Sequence, residues 1–144
     1  GDLFPGAPGV EKMDVQALPF PDGSFDLVIA NHVLEHVADD LQALREIRRV
    51  LSADGHAIVQ TPYSLVLEHT FEDKGIATPA ARLHAYGQED HVRLHGRDVF
   101  QRFASVGLLS RCRSHEEALP RIDAARYGVN RREPFFLFQS PVAA

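Results

Sequence analysis

Tryptophan is absent, and cysteine and methionine occur once each in the 144 residues. The single Cys112 excludes an intrachain disulfide and fits a reducing, cytoplasmic compartment. No apolar run approaches the roughly 20 residues a membrane-spanning helix requires, so no membrane partner is expected. Basic residues are outnumbered, 15 Lys and Arg against 20 Asp and Glu, for a net charge of −5 at pH 7. No basic field is therefore available for nucleic acid or anionic lipid. Internal repeats, low-complexity tracts and a signal-like start are also missing. What remains is a single globular domain over residues 1–144, whose 44% hydrophobic residues suffice for a core.

The pattern along the chain is that of an α/β protein. Residues 3–9 form a Pro/Gly loop, and residues 10–15 are a short strand candidate. Leu18-Pro19-Phe20-Pro21 cannot continue a strand ladder, because two prolines remove donors, and Asp22-Gly23 then turns the chain. Residues 25–30 (FDLVIA) are a continuous apolar run, the pattern of a strand covered on both faces. Val37, Leu41, Leu44, Ile47 and Leu51 recur at helical spacing, with Asp39, Asp40, Arg45, Arg48 and Arg49 turned to solvent. Acids at the start and arginines at the end suit the helix dipole, and Gly55 is the expected stop. Residues 56–61 are a second buried strand, so the order strand, helix, strand predicts a parallel βαβ unit.

Residues 63–95 differ: they are polar, rich in histidine and broken by Gly75, Pro79 and Gly87, and they are expected to lie over the strand ends as an insertion. Within them Thr78 and Pro79 predict a short helix through Tyr86. A second amphipathic helix is expected over residues 96–107, a strand over 108–113, an irregular stretch over 114–133 and a closing strand over 134–140. That last pair suits an antiparallel edge hairpin.

Residues 13–62 read MDVQALPFPDGSFDLVIANHVLEHVADDLQALREIRRVLSADGHAIVQTP. This run resembles the class I S-adenosylmethionine (SAM) dependent methyltransferases, in the branch with the signature D-x-x-x-LPF-x-D-x-SFD. Residues 87–96 (GQEDHVRLHG) are similar to a GQ-x-DHVR-x-YG segment of a bacterial subgroup, with His95 in place of Tyr. Residues 70–73 and 82–86 also resemble that subgroup, so the likeness runs along nearly the whole chain. Ala53-Asp54-Gly55 replaces the Pro-Gly-Gly of the family. The larger departure is the glycine-rich cofactor loop, which the resemblance places before residue 1 and which these residues do not contain.

The resemblance implies a partial Rossmann-like methyltransferase sheet, mostly parallel, with an antiparallel C-terminal edge strand and an inserted loop-helix segment. The cofactor it implies is S-adenosylmethionine, held weakly or not at all without the N-terminal half. By resemblance Asp2 takes the ribose hydroxyls, Leu3 packs on adenine, and Asp14 and the Val15 amide face the adenine edge. Asn31 and His32 line the methionine end. An Asp at a strand end is as readily a plain turn former. Without the family's first strands, residues 25–30 become a sheet edge, expected to pair with a second copy or to be covered by residues 1–20.

Two histidine motifs remain. His32-Val33-Leu34-Glu35-His36 spells H-x-x-E-H, a zinc-peptidase pattern when it lies on a helix. The same letters belong to the methyltransferase signature, so no metal centre is expected, although a mixed site that recruits His91 or His95 is conceivable. Asp90-His91 reads either as an oriented imidazole acting as general base, with Arg93 clamping a substrate anion, or as an internal brace. Tyr63 and Tyr86 are candidate substrate-lining residues. The functional expectation is methyl transfer to a small-molecule acceptor with His91 as base. The alternatives are an inactive methyltransferase-like binding or dimerisation module and a small His-based metal protein.

Overall fold

A computed structural model describes residues 1–123, 125–130 and 133–142. In chain order the elements are β1 (Phe25–Ile29), α1 (Asp40–Val50), β2 (Leu51–Ile58), α2 (Pro79–Tyr86), α3 (Val99–Ser105), β3 (Leu109–Ser110), α4 (His115–Ala118) and β4 (Leu137–Gln139). The sheet order is β1-β2-β4-β3, with β1 and β2 parallel and β4 antiparallel to both its neighbours. The sheet is mixed and partially Rossmann-like as expected, but only the β1-β2 pair is parallel, and the antiparallel C-terminal strand β4 lies inside the sheet with β3 at the edge.

Capping decides where α1 begins. The Asp39 carboxylate accepts from the Gln42 N–H at 2.9 Å, so the helix starts at Asp40 rather than Val37. It ends at Val50, because Leu51 is already extended and opens β2. Gly55 is therefore not the helix stop. Ala53-Asp54-Gly55 instead lies inside β2, where the register slips between Phe25↔Leu51 and Leu27↔His56. Asp54 takes up the left-handed turn with φ 66°. Arg49, expected in solvent, donates to the Leu18 and Phe20 carbonyls and to Asp22 and Glu46, pinning the proline turn on α1.

The register fixes which side chains share a face. Val28, Ala57 and Phe138 lie in one row and meet the helices; Leu27, His56, Gln139 and Leu109 form the next row on the opposite face. The core is built on the first face, where Ala57, Val59, Phe136 and Phe138 pack on Ala43, Leu44 and Ile47 of α1 and on Val99 and Phe103 of α3. Phe103 stacks on Phe138 with centroids 3.8 Å apart. On the other face Leu27 and Ile29 are 50% and 60% exposed, so β1 is covered on one face only. It is the sheet edge, as expected. Residues 1–20 leave Leu27 and Ile29 uncovered: the Phe20 ring meets Phe25 edge-on, and Gln16 and Leu18 are held on α1, through Asp39 N, Gln42 Nε2 and Glu46. The candidate strand at residues 10–15 reduces to one isolated bridge between Asp2 and Lys12.

Helix α2 begins as read, with Thr78 Oγ1 accepting from Ala81 N–H. Helix α3 is shorter than the expected span. The expected strand at residues 108–113 shrinks to β3, which pairs antiparallel with β4 as the predicted hairpin. The stretch read as irregular contains α4, closed by a capping box between Ser114 and Glu117; residues 124, 131 and 132 of that stretch lie outside the described residues. No helix among the described residues is long and apolar enough to cross a membrane.

Candidate functional site at the strand ends

Beyond Ile29 the parallel pairing continues for a few residues: Ala30 N donates to Ile58 O, and His32 N to Gln60 O. The Asn31 side chain caps this extension by accepting from Gln60 N at 3.1 Å. His32 then turns with φ 55°, an unusual value for a non-glycine residue and one that accumulates where a chain leaves a strand at a functional edge. Asn31 and His32 are both exposed there. Asp2 and Leu3 are exposed too, and the Asp2↔Lys12 bridge sets the Asp2 segment beside the one leading to Asp14 and Val15. Asp2 and Asp14 each accept a backbone N–H two residues on, from Phe4 and Gln16, the geometry of a turn-forming aspartate. Val15 packs against the core.

H-x-x-E-H does not lie on a helix. Residues 31–38 are a run of turns, so His32 and His36 do not share a helical face. His32 Nδ1 lies 3.3 Å from Glu35 Oε1. The Glu35 carboxylate is buried, and its other oxygen accepts from Thr61 Oγ1 at 3.0 Å.

The insertion folds back on itself through bridges Tyr63↔His95 and Phe71↔Leu94 and crosses the turn after β1. Gly96 is required there: a Cβ would stand 2.5 Å from the His69 carbonyl carbon. Val92 N donates to Glu35 O, while the buried Arg93 guanidinium donates to the carbonyls of Leu34, Val37 and Ala38 and to Glu72. Every guanidinium nitrogen is thus engaged internally, which is the brace and not the anion clamp. Asp90 does not orient His91. The Asp90 carboxylate, at the end of the bend over residues 87–90, lies 3.2 Å from His36 Nδ1 instead. His91 is buried with its ring set edge-on to that of His36, centroids 4.7 Å apart.

Tyr63 packs on Phe100 and Phe136, and burial raises its phenol pKa. Tyr86 is buried, its hydroxyl accepting from Asp73 N at 3.0 Å. Sequence reasoning missed the Asp40–Arg102 ion pair: burial pushes the Asp40 carboxyl up, but the Arg102 hydrogen bond together with the charges of Arg93 and Arg102 holds it below its usual range. Close by, burial pushes His95 down to about 4, and neither ring nitrogen has a hydrogen-bond partner among the described residues.

Residues 4–59 match the family profile described as a methyltransferase domain. Among relatives in sequence, the uncharacterised methyltransferase YcgJ of Bacillus subtilis is 38% identical over 61 residues, which is 39% of this chain and 24% of that protein. The ubiquinone/menaquinone biosynthesis C-methyltransferase UbiE of Xanthomonas oryzae is 52% identical over 48 residues, covering 33% of this chain and 19% of the relative. In structure, Bacillus subtilis YcgJ superposes with a TM-score of 0.54 at 22% identity, over 90% of this chain and 65% of that one. The [4+2]-cyclase SpnF superposes with a TM-score of 0.59 at 17% identity, over 92% of this chain and 57% of that one. The fold is a methyltransferase fold. At these identities the structural likeness speaks for architecture alone, and one protein that shares this fold, SpnF, is a cyclase. The chain spans about a quarter or less of the curated relatives it matches.

Proposed function

We propose that this chain is the C-terminal part of a cytoplasmic SAM-dependent methyltransferase that acts on a small-molecule acceptor. The observation that carries the reading is the family match at residues 4–59, a span that contains Asp14, Val15, Asn31 and His32, the last two at the carboxyl end of β1. In open α/β sheets, ligands bind beyond the carboxyl ends of the strands. Asp2, Leu3, Asp14 and Val15 would hold the adenosine end, and Asn31 and His32 the methionine end. Methyl transfer is a displacement at a sulfonium carbon, so alignment of donor and acceptor supplies much of the rate and no protein nucleophile is needed. Burial of His91 keeps it from an acceptor; in this reading it is a positioning residue behind His36. The bare face of β1 supports a further part of the sheet, since strands of this kind are normally buried on both faces. The half-buried Cys112, its thiol pKa raised by burial, suits an inert thiol in a reducing compartment.

The test is calorimetric titration with SAM and its demethylated product. The 144-residue chain is expected to bind weakly or not at all. A polypeptide that joins this segment to a glycine-rich first βαβ unit is expected to bind both, with Asn31→Ala weakening affinity by about tenfold, the loss of one well-placed hydrogen bond. No binding by that longer polypeptide overturns the reading; unchanged affinity in Asn31→Ala removes that residue alone. A second reading, a non-catalytic module that pairs copies edge to edge, is favoured by the same exposed Leu27 and Ile29.

A further inference from the structure

Glu35, His36 and His91 each offer one ligand atom, and these atoms all lie within 4.8 Å of one another. We propose that these three side chains form a site for one divalent transition-metal ion, of zinc's class, which ties the insertion to the turn after β1.

Two imidazoles and one carboxylate are a donor set that zinc accepts, with a fourth position left for water. The donors come from two separate segments held in place by backbone. Val92 N donates to Glu35 O at 2.9 Å, and Arg93 beside it grips the carbonyls of Leu34 and Val37. Glu35 supplies the charge. Glu35 is 1% exposed, and among the described residues its carboxylate meets only the Thr61 hydroxyl and the His32 ring, so a cation there would offset the cost of its burial.

Asp90 completes the arrangement. Its carboxylate at His36 Nδ1 favours the tautomer that carries the proton there, which leaves Nε2 free to bind an ion. A carboxylate behind a ligating histidine is the usual orienting partner of such sites. The His36 side chain is 34% exposed, so it opens the site to solvent. His91, buried against it, has less freedom.

This inference goes beyond the methyl-transfer reading and needs no cofactor, so the two can fail separately. The chain is stripped with a chelator, dialysed and titrated with zinc chloride by calorimetry, with metal content measured after gel filtration. Cobalt(II) absorption reports the coordination geometry. Expected is one zinc per chain and a rise in melting temperature with zinc, as for any ligand that binds only the folded state. His36→Ala and His91→Ala should abolish both effects, and Asp90→Asn should weaken binding by about tenfold. His84→Ala, at an exposed histidine of α2, should change nothing. If His91→Ala does not fold, His36→Ala decides alone, because that half-exposed ring is not part of the core. Absence of stoichiometric zinc, or equal affinity in His36→Ala, overturns the site.

Discussion

At the scale of single residues, the buried polar groups of the insertion carry most of the consequence. His95 is depressed to about 4 by burial, then by Arg93 and Arg102, with Asp40 and Asp98 opposing. A histidine whose pKa is lower in the folded state binds more protons when unfolded, so stability falls as pH drops from about 6.5 toward 4. Asp40, also depressed, adds to the loss at the acid end of that window. Urea denaturation from pH 8 to 4.5 should show this decline, and His95→Leu should flatten it. A decline of equal steepness in the variant would assign the effect elsewhere. Arg93 separates brace from clamp. Its removal strands three carbonyls and a buried turn, so Arg93→Ala should lower stability by about 3 kcal/mol or more, read from the denaturation midpoint. A shift of only a few tenths would return Arg93 to a surface role.

Between elements, the sheet is held from one side. Phe103 on α3 lies flat on Phe138 of β4 and edge-on to Phe136, coupling the helix to the antiparallel hairpin. Truncation of so enclosed a ring leaves a cavity, and Phe103→Ala should cost about 3–5 kcal/mol by the same measurement. Helix α1 and strands β1, β2 and β4 were legible because apolar spacing is a local record of burial. Their ends were less so. Asp39 caps α1 because its backbone is extended there, and Leu51 enters β2 because its register with Phe25 holds it. Neither fact is local to the residues concerned.

For the molecule as a whole, one face of a four-stranded sheet is packed and the other carries exposed Leu27, Ile29 and Leu109. An apolar strand edge left open is adhesive. Sedimentation of the purified chain should therefore reveal self-association, and the double substitution Leu27→Lys and Ile29→Lys should reduce it without altering the circular dichroism. A chain that is monomeric at high concentration before substitution would dismiss the edge as a self-pairing surface.

The sequence alone determined the class of fold, the strand-helix-strand unit and the family likeness, because periodicity, turn residues and a signature motif are read one neighbour at a time. It also named every histidine of the candidate metal cluster, yet it paired Asp90 with the wrong one. Only the tertiary structure decided that Asp90 meets His36, that Arg93 turns inward, and that Glu35 stands beside His91. Such pairings join segments distant along the chain, and their geometry is set by backbone hydrogen bonds across the insertion, which no local pattern of side chains records.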